Sequence, residues 1–118
     1  MGEIKDKLRA LTVGAKKQFA RKKVLYKGEE FEVKQPSQAE RQEVFQRCRR
    51  DENGGLDKVD FAIWSVILLT FVPGTDERVF SPEDYEGLLG TPAGGFVDHL
   101  SNEIWPILYV NFDETEKN

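Results

Sequence analysis

The chain carries few side chains able to make or break a bond. It has one histidine, His99, and one cysteine, Cys48. A thiolate nucleophile would need His99 beside Cys48 as its base, and a third group to orient the imidazole. The two residues fall in different predicted helices, and neither has an obvious orienting partner. Zinc needs about four nitrogen or sulfur ligands, which one histidine and one cysteine do not supply. The acidic run Asp51-Glu-Asn-Gly-Gly-Leu-Asp looks like a calcium loop until its positions are counted. With Asp51 as the first ligand, Leu56 stands where the sharp turn needs glycine and Ala62 where the bidentate glutamate belongs. Gly90 to Gly95, G-T-P-A-G-G, lacks the terminal G-K-[ST] of a phosphate loop, and Pro92 removes an amide donor from any cradle. The 21 Asp and Glu residues would include some close pair in any fold, but none stands beside an apolar pocket signature of the kind a glycosidase acid needs. These residues point to a protein without catalytic, cofactor or metal chemistry, whose work is binding.

Charge is unevenly spread. Residues 1–27 contain nine Lys or Arg and two acids, and residues 28–118 contain eight Lys or Arg and nineteen acids, for a net charge of −4. The front end could grip an acidic partner, grip nucleic acid, or fold onto the acidic surface of its own chain. Lys16, Lys17, Arg21, Lys22 and Lys23 are the candidate partner-binding cations, with Phe19 and Tyr26 near enough to stack a base. The acidic body would repel a phosphate backbone, so nucleic acid ranks below a protein partner. Trp105, beside Pro106, and Tyr109 are candidate interface aromatics, since tryptophan and tyrosine anchor many protein interfaces.

The elements that would carry these residues can be read from periodicity and punctuation. At 118 residues with 39% hydrophobic and 32% charged side chains, the chain suits one folded domain. A single cysteine makes a reducing compartment the default, and no signal peptide is visible. The uncharged run Phe61 to Val72 is too short for the roughly 20 residues of a membrane helix. Ile4, Leu8 and Leu11 mark one face of a helix over Glu3 to Leu11, which Gly14 ends. Lys16 to Lys23 reads as a basic connection. Lys22 to Gln35 reads as a β-hairpin turning at Gly28-Glu29. Leu25 interrupts its alternation, so one strand is expected to be covered on both faces. Ser37 with Glu40 forms a capping box for a helix from Gln38 to Arg50. Its inner side is Ala39, Val44, Phe45 and Cys48, and its outer side is Arg41, Arg47, Arg49 and Arg50. A polar loop then leads into a buried helix, Asp57 to Val72, with Phe61, Trp64, Ile67, Leu68 and Phe71 on one face. Pro73-Gly74 ends it.

The segment Thr75 to Leu89, T-D-E-R-V-F-S-P-E-D-Y-E-G-L-L, opens the next helix. Ser81 caps it, Pro82 takes the first position, and Glu83 and Asp84 face the positive end of the helix dipole. Val79 and Phe80 lie just outside the cap, placed to fold back on Tyr85 or Leu88 as a staple. Thr91 and Pro92 start a last helix that runs to about Asn111, with Pro106 kinking or splitting it. Asp113 to Asn118 is a frayed tail. The expected fold is α+β: an N-terminal hairpin packed on four or five helices. The expected units are 1–21, a basic helix and linker; 22–112, a single domain; and 113–118.

The order of these pieces is distinctive. A hairpin K-V-L-Y-K-G-E-E-F-E-V-K leads into P-S-Q-A-E-R at a helix start. The apolar V-D-F-A-I-W-S-V-I-L-L follows, then D-E-R-V-F-S-P-E-D-Y-E-G-L-L, then a helix ending E-I-W-P-I-L-Y-V-N. Over roughly residues 22–111 the chain resembles the tail assembly chaperones of long-tailed bacteriophages and prophages. The resemblance implies a non-enzymatic protein of the bacterial host cytoplasm, without cofactors. Its partners would be the tape-measure protein, which it keeps soluble, and the major tail protein, which it helps to recruit. It also implies that a longer form can arise by ribosomal frameshifting. A second copy of the chain is a further partner to consider. The alternatives are a structural tail or head–tail component retained in the particle, and a small nucleic-acid-binding regulator that uses the basic front end.

Overall fold

A computed structural model describes residues 2–108, and these form an α+β fold. In chain order they are α1 (Gly2–Leu11), β1 (Arg21–Tyr26), β2 (Glu29–Lys34), α2 (Gln38–Arg47), α3 (Lys58–Leu69), β3 (Thr70–Phe71), a 3-10 turn (Pro82–Asp84), α4 (Tyr85–Leu89) and α5 (Phe96–Leu108). The expected end of the last helix near Asn111, the tail Asp113 to Asn118 and the interface candidate Tyr109 lie outside the described residues.

The hairpin forms where alternation predicts it, one residue earlier at each end. Arg21 pairs with Lys34 and Tyr26 with Glu29. The two-residue turn is Lys27-Gly28, with φ of 51° and 82°, and Glu29 already belongs to β2. Both turn residues are left-handed, the conformation that matches the twist of the flanking strands. Val24 and Val33 point into the core beside the half-buried Tyr26 and Phe31. Leu25 points the other way and is exposed, so the strand is not covered on both faces.

The sheet has a third strand that periodicity does not show. α3 ends at Leu69, and the chain passes directly into β3, which pairs antiparallel with β2 through Glu32–Phe71 and Val33–Thr70. Strand order is β1-β2-β3. The helix therefore stops before Val72, and Phe71 is a buried strand residue on the sheet face opposite Val33, with Arg21 and Lys34 over its ring. Arg78 returns beside Phe71, and its Nε donates to the Leu68 carbonyl at 3.1 Å. That bond satisfies one of the carbonyls a helix end leaves open.

α3 is the centre of the core. Ile63 and the five successive residues Ser65 to Leu69 are buried, so its C-terminal half has no solvent face. α2, α4, α5 and the sheet surround it. Phe61 and Trp64, expected on a single buried face, are only half-buried near its start. Asp57 caps the helix by accepting from the Asp60 N–H at 2.9 Å.

α2 has the expected capping box: Glu40 N–H donates to Ser37 Oγ at 3.1 Å, and Ser37 N–H donates to Glu40 Oε1 at 2.9 Å. It ends at Arg47 rather than Arg50, because Cys48 turns to an extended conformation and Arg49 is drawn onto α3. Ala39 is exposed rather than inward, and Arg41 is half-buried rather than outward. The Ser81 turn closes through Asp84, whose carboxylate accepts from the Ser81 N–H at 2.8 Å. Phe80 meets Phe96, at 5.7 Å between ring centroids, while Tyr85 stacks on Trp64 at 5.3 Å. Phe80 thus packs on the start of α5, beyond the staple expected onto Tyr85 or Leu88, which share its cluster.

Thr91 does not start α5. Its hydroxyl donates back to the Leu88 carbonyl at 2.6 Å and finishes α4, and α5 begins at Phe96. Pro106 lies inside α5 without splitting it within the described residues. No helix among these residues is long and apolar enough to cross a membrane.

Candidate functional site

The groups with chemical potential are each held to a structural task. Cys48 Sγ lies 3.1 Å from the Val44 carbonyl, and burial pushes the thiol up to about 11, so at neutral pH it carries almost no thiolate. His99 Nε2 lies 2.8 Å from the Leu25 carbonyl. A carbonyl can only accept, so this nitrogen carries the proton and closes part of the free edge of β1. The Asp51 carboxylate accepts from the N–H groups of Asn53 and Gly55, both at 2.9 Å, and ties its own loop. Among the described residues no three His, Cys, Asp or Glu side chains are grouped to hold a metal ion.

The strongest polar cluster was not legible as such. Asp60, 2% exposed on the first turn of α3, accepts from Arg49 N at 2.9 Å and from Arg49 Nε and Nη2 at 3.0 Å each. The Tyr85 hydroxyl donates to the same carboxylate. The Arg49 hydrogen bonds outweigh desolvation and hold the Asp60 carboxyl down at about 2, while the bond to Asp60 raises the Tyr85 hydroxyl. The Arg47 guanidinium lies 4.9 Å from the Trp64 ring centroid, beside this cluster. Both carboxylate oxygens of Asp60 are engaged, so the cluster joins the loop after α2 to α3 and α4 rather than awaiting a ligand. The sequence signal was an acid inside an otherwise apolar helix start, which must find a cation when the helix is buried.

The basic front end divides in two. Arg21, Lys22 and Lys23 belong to β1 and pair with acids of the same chain. Arg21 bridges Glu32 at 2.7 Å and Asp76 at 2.5 Å, Lys22 reaches Glu103 on α5, and Lys23 lies 3.6 Å from Glu30. Burial pushes the Glu32 carboxyl up, but the Arg21 bond and the Gly74 N–H together take it below the usual range. Lys17 Nζ donates to the Thr12 and Val13 carbonyls at 3.4 and 3.2 Å, and Lys16 is exposed. Three of these five cations hold the strand to its own acidic surroundings.

What the fold leaves open is apolar. A groove of about 390 Å³ runs between α3 and α5, walled by Leu56, Phe61, Ala62, Ile104 and Trp105, with Ser101 and Asn102 along one rim and Lys58 at the other. Its volume falls in the range of ligand-sized clefts. Trp105 is 58% exposed, and its ring stands edge-on to Phe61 at 5.6 Å. Phe61 in turn stacks on Phe45 at 6.0 Å. The space exists because small side chains face each other across it: Ala62 and Ser65 from α3, Ser101 from α5. Ser65 is buried in the lining, and its hydroxyl has no hydrogen-bond partner. Of the aromatics expected at an interface, Trp105 is at this groove. The remaining walls could be found in the sequence only by the small residues, whose spacing on two distant helices has no local signature. Compared with protein-family models, curated proteins and solved structures, the chain has no significant match.

Proposed function

We propose that this protein is a non-enzymatic binding module acting as a phage-type tail assembly chaperone. It holds amphipathic helical segments of a tape-measure protein and assists recruitment of the major tail protein. The carrying observation is the apolar groove between α3 and α5, with exposed Trp105 as its anchor. A helix laid in such a groove presents side chains at i, i+3, i+4 and i+7, and the groove buries them while the partner waits for assembly. The ordered resemblance over residues 22–111 supplies the identity of the partner. The use of Arg21, Lys22 and Lys23 in ion pairs within the chain weighs against the nucleic-acid regulator, since those cations are already neutralised by carboxylates.

The test is genome neighbourhood first, for a tape-measure gene next to this one, and then co-expression with that tape-measure protein. The wild-type chain should keep that protein in the soluble fraction and co-purify with it. Trp105→Ala should weaken binding at least tenfold, the loss of about 1.4 kcal/mol or more expected for a tryptophan hot spot. Thermal melts should show that the variant still folds. A tape-measure protein that neither binds nor gains solubility would overturn the chaperone reading. Undiminished binding by the variant would move the site away from the groove.

A further inference from the structure

α1 carries an apolar stripe that faces water. Ile4, Leu8 and Leu11 are 70%, 59% and 75% exposed, and no residue of the helix is buried. Their steps of four and three are those of the d, a and d positions of a coiled-coil seam. Within the helix, the e and g positions that border this seam are Lys5 and Lys7. The two acids, Glu3 and Asp6, fall at c and f, away from it. We propose that α1 is a second binding element, and that it docks along a helix of a partner protein whose own apolar stripe is bordered by Asp and Glu. The proposal stands apart from the groove between α3 and α5 and from whatever that groove holds.

The flanking lysines choose the occupant. A second copy of α1 would bring two more lysines to the same short seam and no carboxylate at e or g, so like charges would crowd it. A helix with Asp or Glu at those positions turns the same lysines into ion pairs across the seam. An anionic membrane would also attract Lys5 and Lys7. A bilayer is a broad surface, however, and would face the body too, where residues 28–118 hold eight Lys or Arg against nineteen acids. A partner helix needs to touch α1 alone.

The helix is closed before a partner arrives. Gly14 N–H donates to the Arg9 carbonyl at 2.9 Å, and the Thr12 hydroxyl to the Leu8 carbonyl at 2.9 Å. Lys17 Nζ donates to the Thr12 and Val13 carbonyls just beyond it. On the body side, Ala20 N–H donates to the Gln35 side chain at 2.9 Å. A recognition helix that is already formed and joined to its domain by a short link loses less conformational freedom on binding than one that must fold first.

Fluorescence anisotropy on the full-length chain tests this, with two labelled three-heptad peptides as probes. Both have Leu and Ile at a and d. One has Glu at every e and g position, the other Lys. The Glu peptide should bind with a dissociation constant of about 100 μM or tighter at low salt. It should bind at least tenfold tighter than the Lys peptide, and the preference should shrink in high salt as the flanking charges are screened. Leu8→Ser should weaken binding of the Glu peptide at least tenfold. Lys5→Glu combined with Lys7→Glu should turn the preference toward the Lys peptide. All three side chains are exposed, so the melting temperature should not move. A Glu peptide that stays free at about 1 mM chain, or that binds no better than the Lys peptide, overturns the proposal. Binding that survives Leu8→Ser also overturns it, because the peptide then sits elsewhere on the chain. A wild-type dimer that Leu8→Ser dissolves would make a second copy the occupant instead. Tighter binding to phosphatidylglycerol vesicles than to the Glu peptide, lost in Leu8→Ser, would make α1 a membrane-surface helix. None of these outcomes involves Trp105, so tape-measure binding is judged by its own experiment.

Discussion

Replacing Asp60 by asparagine tests whether the Arg49–Asp60–Tyr85 cluster holds the loop after α2 to α3 and α4. The carboxyl sits at about 2 in the folded chain against an ordinary value of 3.8. The difference of nearly two units corresponds to about 2 kcal/mol of folding stability at neutral pH. Removing one member of a buried pair often costs about 3–5 kcal/mol. The Arg49 side chain is largely exposed and can turn to water, so the lower figure is the better expectation. The sign follows from the direction of the shift. A carboxyl lowered in the folded state stabilises fully above its unfolded value and loses that contribution as pH falls through the folded one. The stability gap between wild type and Asp60→Asn should therefore be near 2 kcal/mol at pH 7. It should fall to roughly half at pH 3 and continue to shrink toward pH 2. Urea titrations of both proteins from pH 7 to pH 3 measure it, and contributions from other carboxylates such as Glu32 cancel in the difference. A gap that is absent, or that stays constant across this range, would refute the assignment of the cluster as an ionised support.

Two further expectations concern buried groups. Thr70 is fully buried and its hydroxyl has no hydrogen-bond partner, so Thr70→Val should raise stability by about 1 kcal/mol in denaturant titration, and a loss would mean the hydroxyl is satisfied in solution. Cys48, buried with its thiol pushed up to about 11, should react with an aromatic disulfide reagent only as fast as the chain opens. Rapid labelling at pH 7 and 25 °C would contradict that burial.

What could be read from sequence was what local chemistry dictates. The hairpin followed from alternation around a turn that Gly28 permits, and the α2 start followed from Ser37 and Glu40, three residues apart. β3 could not be read the same way. Thr70 and Phe71 end an apolar run that looks helical throughout, and only the distant edge of β2 makes them a strand. Thr91 looked like a cap because a Thr-Pro pair often starts a helix, yet its hydroxyl satisfies the end of the helix before it. Arg49 is solvent-facing as its position suggests, but its bond to Asp60, eleven residues away across a loop, has no local signature. The groove had half a signature, in Trp105. Its space comes from Ala62, Ser65 and Ser101, and the absence of bulk on two helices becomes visible only when the helices are packed.

The direct passage from Leu69 to Thr70 has a mechanical consequence. With no loop residue between α3 and β3, the helix and the strand move as one piece, and β3 is bonded to the centre of the sheet. The α3 wall of the groove is thus braced by the sheet, and widening it from that side would mean shearing strand pairs. α5 is fastened differently, by its buried residues Val97, Leu100, Ile104, Ile107 and Leu108 and by side-chain ties such as Lys22 to Glu103 and His99 to the Leu25 carbonyl. An occupant of the groove meets one jaw continuous with the sheet and one held by side-chain packing, and Trp105 rides on the second.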